Sequence, residues 1–254
     1  MPAKTHIRLM AVDIDGCITD GEGHAADLDV LQGLRAFNER AARREPGIPE
    51  VTLLTGRQQP YVELMSQMMG TRVPAVFENG AGLFIPDSYE FLFHPSITPD
   101  NLEQLSRLKK RIHDELVRPG LAKLQPGKEV SLSVYPASGG TVKDIAGRLR
   151  RLIEIERAIF ELDISLLCVN VLFPGINKGA GVIWLAEYLG IDTINIGVIG
   201  DAPGDIVAFE SGGVSGAPAQ AGPDVRRAVN YVASQPNGHG VLEIIEWIIR
   251  INAE

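Results

Sequence analysis

Three short apolar segments of the sequence, each ending at an aspartate or a threonine, constrain the fold more than any other feature. Segments of this length that are apolar on both faces are typical of buried parallel strands. Amphipathic stretches follow them, so strand and helix alternate along this part of the chain. A parallel sheet places ligands at the carboxyl ends of its strands, so these polar residues should lie together. The three strands with their terminal residues are IRLMAVDI with Asp13, EVTLLTG with Thr55 and NIGVIGD with Asp201.

The middle of the chain has a different pattern, which predicts a second domain. Between residues 86 and 174, two amphipathic helices alternate with four strand-like segments, an order typical of an antiparallel sheet with helices on one face. The strand–helix alternation returns after Asn177. We therefore expect a Rossmann-like α/β core with a parallel sheet, formed by residues 1–85 and 175–254. An α+β domain, residues 86–174, is inserted into it.

Composition and charge exclude several classes of function. The net charge of −8 argues against a protein that binds nucleic acid or an anionic membrane surface. No apolar run reaches the roughly 18 residues of a membrane span, and the start lacks the apolar region of a signal peptide. The two cysteines, Cys17 and Cys168, form no zinc-binding pattern, and a reducing cytoplasmic location is the expectation. Nothing separates a monomer from a homodimer.

Acidic, hydroxyl and ammonium groups occur at the ends of the core strands or at the starts of the adjoining helices. Each is common there for reasons of turn and cap chemistry, but together they would surround a single cleft. Crowded carboxylates repel one another, and a hard cation relieves that repulsion. Oxygen ligands without sulfur or imidazole suit Mg²⁺. The residues of this set are Asp13, Asp15, Thr55, Lys178, Asp201 and Asp205.

This set of groups suits phosphoryl transfer to and from a carboxylate. A bound Mg²⁺ neutralises a phosphate and lets a carboxylate approach it, which permits an aspartyl-phosphate intermediate. A second carboxylate can protonate the leaving oxygen and later activate water. A cysteine nucleophile at Cys17 is disfavoured, because no Cys-x5-Arg phosphate loop follows it. The expected substrate is a small phosphorylated metabolite.

The order of these motifs resembles the haloacid dehalogenase-like superfamily of phosphatases. The shared pattern is DxDG, then Thr, then Lys, then GDxxxD, and the insertion between the second and third motifs resembles the type IIB cap. The segments Glu78–Ala81 (ENGA) and Asn237–Val241 (NGHGV) are also similar to that branch. It includes Cof-like sugar phosphatases, sucrose-phosphate and mannosyl-3-phosphoglycerate phosphatases, archaeal phosphoglycolate phosphatase and eukaryotic phosphomannomutase.

The resemblance implies a role for each catalytic position. Asp13 would be the nucleophile and a metal ligand. Asp15 would be the general acid and base, with its backbone carbonyl on the metal. Thr55 and Lys178 would hold the phosphate oxygens, and Lys178 would also steady the charge of Asp13.

The resemblance also implies the metal and phosphate ligands. Asp201 would bind Mg²⁺ directly, and Asp205 would act on the metal through water or on the lysine. Gly56 would let backbone N–H groups approach the phosphate. Two side chains have two candidate roles each. Arg57 either caps its loop or contacts the substrate, and Asn177 either precedes a helix or reaches the phosphate.

Some positions depart from the family pattern and leave alternatives open. Gly204 stands where many relatives have Asn before the last aspartate, and Cys17 stands where Thr is usual. A sugar phosphate and a phosphoglycerate- or phosphoglycolate-like compound are both candidate substrates. Lys123, Lys128 and Ser133 of the inserted domain are candidate substrate contacts. A phosphomannomutase-like mutase and a catalytically silent binding protein are the alternative functions.

Overall fold

The computed structural model describes residues 6–254, which form two compact units. One unit combines the chain up to Leu92 with Asn177–Glu254, and the other spans Phe93–Ile176. The assignment of residues 86–174 as an inserted domain stays a prediction. In chain order the elements are β1 (Leu9–Val12), α1 (Leu28–Ala42), β2 (Glu50–Leu53), α2 (Gln59–Met69), β3 (Ala75–Phe77), β4 (Gly82–Ile85), β5 (Glu90–Phe93), α3 (Pro99–Ile112), β6 (Ala122–Leu124), β7 (Leu132–Pro136), α4 (Val142–Glu156), β8 (Glu161–Ile164), β9 (Val169–Leu172), α5 (Lys178–Leu189), β10 (Ile196–Ile199), α6 (Ile206–Ser211), β11 (Val214–Ala217), α7 (Pro223–Ala228), β12 (Tyr231–Val232) and α8 (Asn237–Ala253).

The first unit is built on a five-stranded parallel sheet with the order β12-β11-β10-β1-β2. In β1, Leu9 lies opposite Ile196 of β10 on one side and Glu50 of β2 on the other. All residues of β1 are buried, as expected of a strand covered on both faces. The predicted α/β fold with a parallel core sheet is confirmed, and the carboxyl ends of β1, β2 and β10 lie at one edge.

Helix α1 shows how local sequence starts and orients the helices of this unit. The side chain of Asp27 accepts hydrogen bonds from the backbone N–H groups of Asp29 and Val30, which caps the first turn. Apolar side chains at helical spacing, including Leu34 and Phe37, then bury one face.

Within residues 6–254, no helix is both long and apolar enough to cross a membrane.

Buried Asn38, near the end of α1, connects this helix to β2 and to the end of α2. Its Oδ1 accepts a hydrogen bond from the backbone N–H of Val51 at 2.8 Å. Its Nδ2 donates to the carbonyl oxygens of Val51 at 3.1 Å and Met69 at 3.0 Å. Because Thr55 lies two residues after the end of β2, this amide helps to fix the strand that leads to a predicted site residue.

Strands β3 and β4 form a hairpin with an unusual turn, where the sequence predicted one strand interrupted by a turn. Glu78, Asn79 and Gly80 have φ angles of 48°, 59° and 97°, so all three are left-handed. The backbone N–H groups of Glu78 and Asn79 donate to the carbonyl oxygens of Arg57 at 3.0 Å and Thr55 at 2.9 Å. The turn is therefore tied to the segment that follows β2.

The second unit has a four-stranded antiparallel sheet with the order β6-β7-β9-β8. Helix α4 packs against β7 and β9 with a buried apolar face that includes Leu149 and Leu152. This is the α+β arrangement that the sequence predicts. Strand β6 was missed because Ala122–Leu124 is only three residues long and shows no clear alternation. Helix α3 continues into a π-helical turn at His113–Val117.

We expect Asn38→Ala to lower the free energy of unfolding by about 2–4 kcal/mol, because buried backbone groups of β2 and α2 lose their partners. Urea denaturation of the full chain measures this effect. Gln32→Ala, at an exposed position of the same helix, should change the stability by no more than about 0.5 kcal/mol. Equal effects of the two substitutions would show that the amide does not hold these elements together.

Candidate functional site

Asp13 directly follows β1 and lies buried at the carboxyl edge of the parallel sheet. Its backbone N–H donates to the carbonyl of Ile199 at 2.9 Å, which extends the pairing with β10 by one residue. Its Oδ1 accepts a hydrogen bond from the backbone N–H of Ile14 at 2.8 Å. The backbone therefore fixes the position of this carboxylate.

Lys178, the first residue of α5, reaches two carboxylates at once. Its Nζ lies 2.8 Å from Oδ2 of Asp13 and 2.6 Å from Oδ1 of Asp205. The preceding Asn177 caps the helix, because its Oδ1 accepts from the backbone N–H of Ala180 at 3.0 Å. Of the two roles left open for Asn177, the helix cap is the one with a visible contact. Its role at a phosphate stays a prediction.

The turn after β10 carries Asp201 and is closed by Asp205. The Oδ2 atom of Asp205 accepts from the backbone N–H groups of Asp201 and Ala202, both at 3.0 Å. The other oxygen of Asp205 binds Lys178, so one carboxylate orders the turn and orients the lysine. At Gly204, a Cβ atom would meet nothing within 4 Å, so the space for the usual asparagine remains.

Asp13, Asp201 and Asp205 each offer a carboxylate oxygen within 4.8 Å of the others, a grouping that could hold a metal ion. Burial raises the pKa of Asp13 to about 6, although Lys178 opposes the shift. Burial, followed by the charges of Asp13 and Asp205, raises the pKa of Asp201 to about 7. Burial alone would lower the pKa of Lys178, but its two carboxylate partners outweigh that effect and raise it.

The donor set of this cluster fits a hard divalent cation. Three carboxylates share one ammonium group, so negative charge is in excess. Burial is the main cause of the raised pKa values of Asp13 and Asp201, and the neighbouring carboxylates add to the rise. All three donors are oxygens, which Mg²⁺ prefers over sulfur or imidazole ligands. The cluster can therefore bind such a cation, with Asp205 already engaged by the lysine and the turn.

Two glycines allow this cluster to pack closely. A Cβ atom on Gly16 would lie 2.2 Å from Oδ2 of Asp201, and Gly16 also has a left-handed φ of 78°. A Cβ atom on Gly200 would lie 2.4 Å from Cβ of Asp205. Only glycine at these positions leaves room for both carboxylates.

The carboxylate of Asp15 is not part of this group and pairs with Arg57. Its two oxygens accept from Nε and Nη2 of Arg57, each at 2.6 Å, and these hydrogen bonds raise the pKa of Arg57. The guanidinium also lies 4.9 Å from the centre of the Tyr61 ring. A metal role for Asp15 through its backbone carbonyl stays a prediction, because its side chain is not among the grouped ligands. Neither role left open for Arg57, the loop cap or the substrate contact, included this pairing.

Thr55 and Gly56 follow β2 beside Asp13. Thr55 is buried, and its Oγ1 accepts from the backbone N–H of Arg57 at 3.3 Å. A Cβ atom on Gly56 would lie 2.9 Å from Oδ1 of Asn79, so the asparagine side chain covers this glycine. The structure thus brings the predicted phosphate holders to the same sheet edge as Asp13.

Sequence reasoning missed several contacts around the site. Gln220 Nε2 donates to the carbonyl of Gly16 at 2.5 Å, and Asn237 Nδ2 donates to Oδ1 of Asp20 at 2.5 Å. Asn79 covers Gly56 from the ENGA turn. The sequence held one signal, because ENGA and NGHGV were noted as similar to the family, but no role was attached to their side chains.

The candidate substrate contacts of the second unit lie in different environments. Lys128 and Ser133 are buried, and the lysine Nζ donates to the serine Oγ at 2.5 Å. Ser133 in turn donates to Oδ1 of Asn170 at 2.6 Å, a partner that the sequence did not suggest. Lys123 is exposed on β6. Contact of these residues with substrate stays a prediction.

Comparisons with known proteins agree with this geometry. The sequence profile of a family described as haloacid dehalogenase-like hydrolase matches residues 141–245. A phosphoglycolate phosphatase of Methanothermobacter thermautotrophicus is 27% identical over 94% of this chain and 97% of its own length. A phosphoglycolate phosphatase of Aeropyrum pernix is 28% identical over 96% of this chain and 94% of its own length.

Solved structures show the same fold over nearly the whole chain. A haloacid dehalogenase-like hydrolase from Bacteroides thetaiotaomicron has a TM-score of 0.72 at 16% identity, covering 95% of this chain and 99% of its own. The sucrose-phosphatase of Synechocystis sp. PCC6803, solved with sucrose and phosphate, has a TM-score of 0.68 at 18% identity, covering 95% and 97%.

We expect Mg²⁺ to stabilise the protein more at about pH 8 than at about pH 5. The pKa values of Asp13 and Asp201 are raised from 3.8 to about 6 and about 7. Between these values the folded protein therefore binds more protons than the unfolded protein does. The metal-free protein should therefore lose stability as the pH rises towards 7, and Mg²⁺ should restore it. Melting curves with EDTA and with Mg²⁺ give the difference at each pH, about 5 °C at the higher pH.

Asp201→Asn serves as the matched variant for this measurement. It removes one charge from the cluster while keeping the side-chain shape, so its response to Mg²⁺ should be smaller at both pH values. A response of the unsubstituted protein that is the same at both pH values would contradict the assignment of these carboxylates to a cation.

Proposed function

We propose that this chain, a haloacid dehalogenase-like hydrolase, is an Mg²⁺-dependent phosphatase of a small phosphorylated metabolite. The observation that carries the proposal is the buried contact of Lys178 with both Asp13 and Asp205, beside Asp201. The relatives named phosphoglycolate phosphatase and the sucrose-phosphatase structure support two substrate classes. One is a phosphoglycolate-like acid, and the other is a sugar phosphate.

Asp13 and Asp201 would hold the Mg²⁺ ion directly. Asp205 has both oxygens occupied by Lys178 and by the turn, so its part is to position these groups. When bound, Mg²⁺ neutralises phosphate charge and so permits a carboxylate to approach phosphorus.

In the first step a carboxylate oxygen of Asp13 attacks the phosphorus atom. The bond from phosphorus to the leaving oxygen breaks, and an aspartyl-phosphate forms. Asp15 gives the leaving oxygen a proton, so the alcohol departs neutral. Both oxygens of Asp15 accept hydrogen bonds from Arg57, so one of the two would open to let Asp15 reach the leaving oxygen while the other keeps the carboxylate in position.

In the second step water attacks the phosphorus of the aspartyl-phosphate. Asp15, now deprotonated, takes a proton from that water, and the bond between phosphorus and Asp13 breaks. Inorganic phosphate leaves and Asp13 regains its carboxylate. The hydroxyl of Thr55, the backbone N–H of Gly56 and the ammonium of Lys178 would hold the phosphoryl oxygens through both steps.

A carboxylate nucleophile suits this site better than the neighbouring thiol. Burial, and then the charge of Asp201, raises the pKa of Cys17, so its nucleophilic thiolate form is disfavoured. The Sγ atom lies 3.9 Å from Oδ1 of Asp201, where it packs against the cluster.

We also propose that the second unit is the cap of this fold and that the protein is cytoplasmic. The antiparallel sheet with α4 on β7 and β9 supports the first assignment. The low cysteine content, two residues in 254, supports the second, because proteins of oxidising compartments are the ones that use disulfides.

We expect release of inorganic phosphate from a panel of phosphorylated compounds that includes 2-phosphoglycolate and several sugar phosphates. Release should require Mg²⁺, stop with EDTA, and fall to background in Asp13→Asn, because the amide cannot attack phosphorus. Asp224→Asn, an exposed aspartate of α7, should keep the activity of the unsubstituted protein. A malachite green assay measures the phosphate released under each condition and by each variant.

Two outcomes of this panel would redirect the proposal. Transfer of phosphate between positions of a sugar, dependent on a bisphosphate activator, would indicate a mutase. Absence of turnover on every compound, with folded protein and Mg²⁺ present, would indicate a binding protein.

We expect Arg57→Ala to lower kcat by about 10- to 100-fold, because the acid–base group loses the side chain that positions it. Arg44→Ala, at an exposed position after α1, should have no effect. Steady-state kinetics on the best compound of the panel measure this change. An unchanged kcat would show that the pairing of Asp15 with Arg57 plays no part in turnover.

A further inference from the structure

The side-chain amide of Asn79 is a buried hydrogen-bond donor without a partner. Asn79 is 7% exposed, and its Nδ2 atom is inaccessible and unbonded. Among residues 6–254 the other atoms in this condition are both oxygens, Oε1 of Gln58 and Oγ of Ser66. Buried amide nitrogens nearly always have an acceptor, so a donor left open at a site points to a ligand.

Asn79 lies between the two elements that carry the proposed phosphate holders. Its backbone N–H donates to the carbonyl of Thr55 at 2.9 Å, and its Nδ2 lies 3.2 Å from where a Cβ atom on Gly56 would be. On the other side, a Cβ atom on Gly80 would lie 2.2 Å from the carbonyl oxygen of Asn177. That carbonyl directly precedes Lys178.

The backbone that presents this amide is in an uncommon conformation. Glu78 and Asn79 are both left-handed, with φ angles of 48° and 59°, although neither is glycine. A left-handed backbone conformation costs free energy at any residue other than glycine, and such residues concentrate at functional sites. Asparagine tolerates this conformation better than most residues, which explains how the turn can place an amide here.

We propose that Asn79 is a further phosphate-binding residue: a rotation of its side-chain amide would let Nδ2 donate a hydrogen bond to a phosphoryl oxygen held by Thr55 and Lys178. The inference rests on the proposed phosphatase function and adds a donor to its site. The ligand class is a phosphate monoester or inorganic phosphate. The amide is neutral, so its hydrogen bond would orient the phosphoryl oxygen without changing the charge of the site.

Two substitutions separate the amide from the turn. Asn79→Gly keeps the left-handed backbone and removes the donor, whereas Asn79→Asp keeps the shape and replaces the donor with an acceptor. Isothermal titration calorimetry with inorganic phosphate, in the presence of Mg²⁺, measures affinity directly and needs no turnover. We expect Asn79→Gly to bind phosphate about 10-fold more weakly, and Asn79→Asp more weakly still because its charge repels the anion.

Arg44→Gly is the matched control. Arg44 is also left-handed, with a φ of 58°, but it is exposed after the end of α1. Both substitutions place glycine at a left-handed position and so relieve backbone strain. Only the variant at position 79 should lose affinity for phosphate. Melting curves of all variants check that the folded state persists, and Asn79→Asp keeps the test available should Asn79→Gly unfold.

The outcomes for this inference and for the phosphatase differ. Unchanged phosphate affinity in both Asn79 variants, with an active unsubstituted protein, overturns the role of Asn79 alone. Weakened affinity in the variants, with no turnover of any phosphorylated compound, supports Asn79 as a phosphate ligand and overturns the phosphatase. An unsubstituted protein that neither binds phosphate nor turns over any compound of the panel overturns both.

Discussion

The ammonium group of Lys178, buried between two carboxylates, is the interaction on which the site depends. Removing a charge from water is costly, and a buried ion is tolerated only where opposite charges and hydrogen bonds surround it. Here Asp13 and Asp205 provide these contacts. They come from the loop after β1 and the turn after β10, and the lysine comes from the start of α5. One ion pair network thus joins three parts of a chain that are far apart in sequence.

The sequence was sufficient to predict which strands would carry the site, for a topological reason. Parallel strands end at the same edge, so Asp13, Thr55 and Asp201 meet there whatever the details of packing. The antiparallel second unit was predictable from alternating strands and two amphipathic helices. Strand β6 was not, because three residues without clear alternation cannot be told from a loop.

Side-chain partnerships were beyond the reach of the sequence. The pairing of Asp15 with Arg57 depends on rotamers and on the distance between two loops, neither of which spacing encodes. The Asn79 amide was hidden for a similar reason. A pattern such as ENGA marks a turn, but only the left-handed backbone shows that its side chain is turned towards Gly56. Motif order therefore predicted which side chains lie together at the sheet edge, and the three-dimensional contacts identified the residues that support them.

The turn after β10 has a consequence for the order in which this site can assemble. Its geometry is set by hydrogen bonds that the backbone N–H groups of Asp201 and Ala202 donate to the carboxylate of Asp205. Small metallo-domains whose ligands come together only around the ion are unfolded without it. Here hydrogen bonds and an ion pair made by the chain itself connect the turn to the start of α5. For the Mg²⁺ ion proposed at this site, folding of the chain would therefore not have to wait for the ion.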